Sequence, residues 1–254
     1  MIAILSPAKT LDFETNYDFS KHTIPEFIQD SEGLVKELKK MNQQGLSKLM
    51  NISSSLSELN FKRYQSWNVD FETSNSRQSI LCFKGGVYVG LDVASFSDDD
   101  LLYSQDNLRI LSGLHGVLKP LDLIKPYRLE MGTKLKNQRG KNLYEFWGNK
   151  ITHALNVAIQ KSSSKFLLNL ASNEYFSSIN SSDVNAEIVD VKFLDKKKDV
   201  YKIISFFAKK ARGSMAAFML KNKIKDINNL KSFSGLGYLY DSDRSTKNSL
   251  VFIR

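Results

Sequence analysis

Lys209, Lys210 and Arg212 stand close together in Ala208-Lys209-Lys210-Ala211-Arg212-Gly213, directly after the apolar run Val200–Phe207. That run reads as a half-buried strand and Ala208 onward as a helix, which puts the cations in the helix's first turn. A helix N-terminus already carries about half a positive charge, so cations there ask for an anion to offset them. Backbone N–H groups of the same turn point at such an anion too. The competing reading is a solvated basic face whose long side chains extend into water.

Three further segments carry residues able to do chemistry. Ser6-Pro7-Ala8-Lys9-Thr10 follows the opening apolar run. Its Ser-x-x-Lys spacing occurs in serine acyl-transfer enzymes, but the S-D-N and K-T-G elements that accompany it there are missing. It reads better as a strand-end loop in which Lys9 and Thr10 face a ligand, the place where open sheets build sites. Pro126-Tyr127-Arg128-Leu129-Glu130 sets a cation beside a carboxylate: either Arg128 clamps a phosphate that Glu130 orients, or the two form a structural ion pair. Ser172-Asn173-Glu174-Tyr175 offers a cap, a carboxylate and a phenol, and as a helix start needs no functional explanation.

Other chemistries find little to build on. Phosphate-loop, dinucleotide-fold and H-E-x-x-H signatures are missing. His22, His115 and His153 lie far apart in sequence, and with one cysteine no metal site or cofactor is expected. Cys82 excludes an internal disulfide and sits in the apolar run Ser79–Phe83, where a buried thiol is the default. Lys84, two residues on, would share its face of a strand and is what a redox-active thiol would need.

The net charge of +9 is divided unevenly. Residues 1–127 hold 13 Lys+Arg against 16 Asp+Glu, a balance of −3; residues 128–254 hold 23 against 11, a balance of +12. That asymmetry points to a polyanionic partner, of which nucleic acid is the commonest. No apolar run approaches the roughly 18 residues of a membrane span, and the N-terminus lacks the basic stretch and cleavage site of a signal peptide. A cytoplasmic protein without a membrane partner is expected.

The elements that must position these residues follow from periodicity. Helices are expected near 30–41, 53–65 and 143–160, and strands at 1–5, 79–83, 86–90 and 166–171. Ser97 should cap a helix whose first turn holds Asp98, Asp99 and Asp100. Hairpins are expected over 185–207, turning at 196–199, and from 238–240 to 250–252. The fold class is therefore mixed α/β (α+β), a partly antiparallel sheet covered by helices, in one compact domain over 1–254. Leu111-Ser112-Gly113-Leu114-His115-Gly116-Val117-Leu118, between apolar helical patterns, suggests a helix-hairpin-helix element whose glycines let amides approach a phosphate. Gly235-Leu236-Gly237 has the tighter spacing, but a strand follows it, and for both a glycine turn is the alternative.

Segments 4–13 (ILSPAKTLDF), 83–88 (FKGGVY), 108–132, 142–148 (NLYEFWG), 169–176 (NLASNEYF) and 202–213 (KIISFFAKKARG) together resemble the YaaA family of bacterial peroxide-stress proteins. The resemblance runs through essentially the whole chain. It implies a cytoplasmic protein that helps limit intracellular free iron, an unusual compact α/β fold, and a basic DNA-binding cleft with a helix-hairpin-helix-like element. Carried over by motif, the cleft cations are Lys9, Lys84, Arg128, Lys209, Lys210 and Arg212. The leading expectation is mainly sequence-independent DNA binding through these residues, with Tyr127, Tyr175 or His115 stacking on an unpaired base. The alternative is an enzyme acting on a small phosphorylated or anionic substrate held by the same cations, with Glu130 or Glu174 as acid–base and Ser6 or Thr10 near the reacting group.

Overall fold

Ile2-Ala3-Ile4-Leu5 has no polar side chain, and a strand of that composition is stable only with both faces covered. In the computed structural model, which describes residues 1–254, every residue of β1 (Ile2–Leu5) is fully buried. The chain then runs through the two-residue β2 (Thr10–Leu11) to helices α1 (Ile28–Lys39), α2 (Gln43–Met50) and α3 (Ser54–Ser66). Short elements follow: β3 (Arg77–Gln78), α4 (Ser79–Cys82), β4 (Phe83–Lys84) and α5 (Gly86–Leu91). Beyond them α6 (Asp98–Asn107) leads into β5 (Leu108–Ser112), β6 (Gly116–Leu118) and β7 (Leu123–Ile124). Next come α7 (Leu143–Trp147), α8 (Lys150–Ser162), β8 (Phe166–Asn169) and α9 (Asn173–Phe176). The long β9 (Glu187–Lys197) doubles back as β10 (Val200–Lys202). The chain closes with α10 (Ser205–Lys221), α11 (Ile227–Leu230), β11 (Leu239–Tyr240) and β12 (Ser249–Ile253).

The central sheet has the order β11-β12-β9-β8-β1-β5-β6, with β10 attached to β9. β1 lies parallel between β5 and β8, and β9 lies parallel between β8 and β12. Antiparallel pairs at β5–β6, β9–β10 and β11–β12 make the sheet mixed, and the last two are the expected hairpins. The apolar faces of sheet and helices join in one contiguous core. Ser97 caps α6 as expected: its hydroxyl accepts from the Asp100 amide, and the Asp100 carboxylate accepts from the Ser97 amide.

Several local expectations are overturned. The strand read over 200–207 ends at Lys202, and α10 begins at Ser205. A short apolar run does not distinguish strand from helix by itself. Here the helical phase wins because it buries Ala208, Ala211, Met215, Ala216, Met219 and Leu220 together. Residues 79–82 and 86–91 are helical for the same reason, both packed into the core. Leu111–Leu118 is a β-hairpin, not two helices about a loop: Ser112 pairs with Gly116, and the turn between them is buried. Gly116 adopts φ +66, and a Cβ there would meet the Trp147 ring at 2.8 Å, so this glycine serves packing. The helix expected over 143–160 breaks at Gly148, where φ is +47. α2 is an addition, capped by Asn42 and stopped by Asn51 in the left-handed conformation.

Candidate functional site

Adjacent parallel strands end on the same side of a sheet, so the loops that follow them meet. β1 and β8 are such neighbours, and the loops after them carry Ser6–Thr10 and Ser172–Glu174. The Ser172 amide donates to Ser6 Oγ at 2.9 Å, and Ser6 Oγ donates to Ser172 Oγ at 3.3 Å. Tyr88, from α5, donates its hydroxyl to the Ser6 carbonyl at 3.1 Å. Ser6 is thereby spent on holding two loops together, with no base beside it.

Around this junction lies a cavity of about 400 Å³. Lys9, Lys84, Arg128, Lys209 and Arg212 line it, together with Thr10, the carboxylates Glu130 and Glu174, and the buried phenols Tyr127 and Tyr175. Pro7, Ala8, Val87 and Leu129 supply apolar wall. Each cation arrives by a different route. Lys84 is placed by β4, which pairs antiparallel with β2 so that Thr10 faces Lys84 across the ladder. Arg128 is fixed through its backbone, since the Tyr64 hydroxyl donates to its carbonyl. The adjoining Leu129 carbonyl lies so close to Gly113 that a Cβ on the latter would meet it at 2.3 Å. Lys209 and Arg212 come from α10, which packs backbone to backbone on α5. A Cβ on Gly90 would meet the Lys210 carbonyl oxygen at 1.9 Å, and one on Gly213 the Val87 carbonyl oxygen at 1.8 Å.

The charges are partly paired. Glu130 bridges two cations, with Lys9 Nζ 2.9 Å from Oε2 and Arg128 Nη2 2.9 Å from Oε1. Lys84 Nζ is 3.4 Å from Asp12 Oδ2. Asp12 is held well below the usual carboxylate range, first by the Thr15 amide and then by the Thr15 hydroxyl. Glu174 Oε1 accepts from the Gly132 amide at 2.9 Å, which ties α9 to the segment after Arg128. Lys209 and Arg212 have no carboxylate within ion-pair distance, while every acid on the wall except Glu174 is already shared between cations. Burial pushes the Arg212 guanidinium below its ordinary value. A largely desolvated cation without a protein counter-ion is costly unless an anion joins it.

Most of the residues singled out in the sequence thus meet on one wall, from segments far apart in the chain. Lys210 does not join them: its side chain is half-buried outside the cavity, and its backbone packs on α5. His115 is fully buried, edge-on to Phe71 and Tyr127, with Nδ1 2.9 Å from Ser31 Oγ; it has no face for a base to stack on. Tyr127 and Tyr175 are 5% and 7% exposed. Tyr127 is further pinned by a 2.7 Å hydrogen bond with Ser112 Oγ, and burial pushes both phenols up. They are cavity floor, not stacking platforms. The cations also sit later in their helix than expected. With α10 starting at Ser205, Lys209 and Arg212 fall in its second turn, where the dipole's pull has largely decayed. Cys82 is 0% exposed and burial pushes its thiol up, so Lys84 does not activate it. Groups of three or more His, Cys, Asp or Glu suited to a metal ion do not form.

Asp12 was not legible as a site residue, although Asp-Phe-Glu-Thr carries a signal for its role. A short acid ahead of Thr closes a turn on its own backbone, and here Asp12 accepts from the Glu14 and Thr15 amides at 3.0 Å each.

A family model described as peroxide stress protein YaaA matches residues 1–244. Similar full-length proteins include a UPF0246 protein of Saccharophagus degradans, 51% identical over 254 residues that span 100% of this chain and 99% of the relative. A UPF0246 protein of Aliivibrio fischeri is 50% identical over 254 residues, with 100% and 98% coverage.

Proposed function

The chain belongs to the YaaA family of peroxide stress proteins, and from that premise we propose that it binds DNA through the cations gathered at the cavity. Lys9, Lys84, Arg128, Lys209 and Arg212 contact backbone phosphates and give mainly sequence-independent affinity. The single observation that carries this reading is the excess of positive charge on one wall: Lys209 and Arg212 lack any carboxylate partner, whereas Lys9, Lys84 and Arg128 are offset by Glu130, Glu174 and Asp12. In peroxide stress the bound protein shields DNA, and it helps to keep intracellular free iron low, which limits radical chemistry at the DNA.

The test is a titration of duplex and bubble-containing DNA across a salt series, for wild type, Lys84→Ala, Arg128→Ala and Lys209→Ala/Arg212→Ala. Each phosphate contact removed lowers the slope of log affinity against log salt by about 0.9 on duplex. The double variant is expected to lose close to two contacts, and Lys84→Ala one. Unchanged slopes reject the site.

A second reading, an enzyme for a small phosphorylated or anionic substrate, is favoured by one feature. The same wall holds both Glu174, with Oε2 uncommitted, and the unpaired Arg212, and phosphate-backbone contact does not need the carboxylate. Binding of inorganic phosphate at Arg212 without any DNA affinity would select it.

A further inference from the structure

Resting on the nucleic-acid reading, we propose that Phe206 is a base-stacking residue at the rim of this site, so that the protein takes hold of unpaired nucleotides in preference to intact duplex. A protein that grips single strands combines cations that follow the backbone with an aromatic ring on which a base lies flat. The cations are present, but the aromatic side chains of the cavity itself are buried in its floor. Tyr88, Tyr127 and Tyr175 are each less than a tenth exposed, and the Ser6 carbonyl and Ser112 hydroxyl occupy two of their hydroxyls. Stacking must come from outside the wall.

Phe206 is 69% exposed, the most exposed aromatic ring of the molecule's large apolar side chains in open solvent. It lies in the first turn of α10, three residues before Lys209. Residues three apart on a helix rise from the same face, with Cβ atoms roughly 5–6 Å apart. Lys209 lines the cavity, and both residues border Gly86: a Cβ placed there would be 3.2 Å from Lys209 Cβ and 4.0 Å from the Phe206 carbonyl oxygen. The ring therefore stands one helical turn from a cation of the site. Its one aromatic neighbour, Phe207, meets it edge-on at 5.6 Å, and Phe207 is itself covered by the Arg254 guanidinium at 4.5 Å. Phe206 is thus supported from one side and open on the other.

Charge decides which occupant suits the ring. Exposed Ile203 and Phe206 make a small apolar patch, and such patches mark interaction sites. This one is flanked by exposed Lys202 and Lys209, with Lys210 half-exposed beside it. A second copy of the chain would bring the same cations against these and repel them. A strand whose phosphates pair with the lysines while one base covers the ring satisfies both features. Duplex DNA keeps its bases stacked on one another and offers the ring nothing.

The experiment compares wild type, Phe206→Ala and Phe206→Trp on a single-stranded oligothymidine and on duplex with the same number of phosphates, over a salt series. Phe206→Ala is expected to weaken single-strand binding about tenfold or more, with the salt slope unchanged and duplex affinity within twofold. Phe206→Trp restores the affinity, and a base stacked on the new indole quenches its emission, a change seen over the constant signal of the buried Trp67 and Trp147. If wild type binds the oligonucleotide and Phe206→Ala binds it equally well, or loses both substrates alike, the stacking role is wrong while the phosphate site stands. A wild type that binds neither overturns both. A change in sedimentation with Phe206→Ala and no change in binding assigns the patch to self-association and overturns the proposal.

Discussion

His115 and Asp122 are both buried and titrate far from their ordinary values, in directions that set the pH dependence of stability against itself. Burial lowers His115 to about 3 and raises Asp122 to about 6. The histidine stays neutral in the folded state, so its contribution is complete above pH 6.5 and is lost as pH falls toward 3. The carboxyl keeps its proton in the folded state up to about pH 6, whereas the unfolded chain releases it near 3.8. Its contribution is therefore present at low pH and lost as pH rises through 6. The two are worth on the order of 5 and 3 kcal/mol, at about 1.4 kcal/mol per pH unit of displacement. Urea unfolding between pH 4 and 7 should show Asp122→Asn gaining stability with pH more steeply than wild type, and His115→Asn less steeply. Parallel curves for all three proteins reject the assignment. His115 also marks how far a residue can be read from its neighbours. Its place between two glycines suggested a loop at a phosphate, but Phe71, Tyr127 and Ser31, which enclose it, come from elsewhere in the chain.

The contact of α5 with α10 brings Lys209 and Arg212 to the wall that carries Lys84, and it rests on two glycines. Gly90 and Gly213 face backbone atoms at distances no side chain can share. Gly213→Ala forces its methyl onto the Val87 carbonyl and Leu91 amide, so the helices must separate. Overpacking of this kind costs about 1–3 kcal/mol, a fall in Tm of roughly 3–10 °C for a chain of this size. DNA affinity should fall with it, because the cations of α10 move away from Lys84. Gly33→Ala is the control: nothing lies within 4 Å of its Cβ position, and in the interior of α1 alanine raises helix stability. Thermal melts of the two variants should move in opposite directions. If Gly213→Ala melts like wild type, the close crossing is not what holds the wall together. None of this was legible in Gly86-Val87-Tyr88-Val89-Gly90, whose β-branched residues and glycines read as a strand at a turn. The helix exists because its small residues let α10 approach, which is a property of the pair.

The acidic and basic halves of the chain are joined at β1, which pairs with β5 on one side and β8 on the other. Lys9 and Lys84 come from the first half and Arg128, Lys209 and Arg212 from the second, so the charge excess at the cavity exists only after the central sheet closes. Because the buried apolar residues form one cluster, unfolding is expected as one cooperative transition. Far-UV circular dichroism and the fluorescence of buried Trp67 and Trp147 should give coincident urea midpoints, and two separated midpoints would divide the chain into independent units. Resemblance to the family named the wall cations; by itself the sequence determined the mixed α/β class, the two hairpins and the Ser97 cap. These follow from local periodicity, from short-range hydrogen bonding and from charge, which neighbours in the chain suffice to set. Only the tertiary structure decided that Arg212 is left without a counter-ion, that His115, Tyr127 and Tyr175 are closed to a stacking base, and that Phe206 is open to one. Pairing and exposure depend on what arrives from distant segments, and no local pattern carries that information.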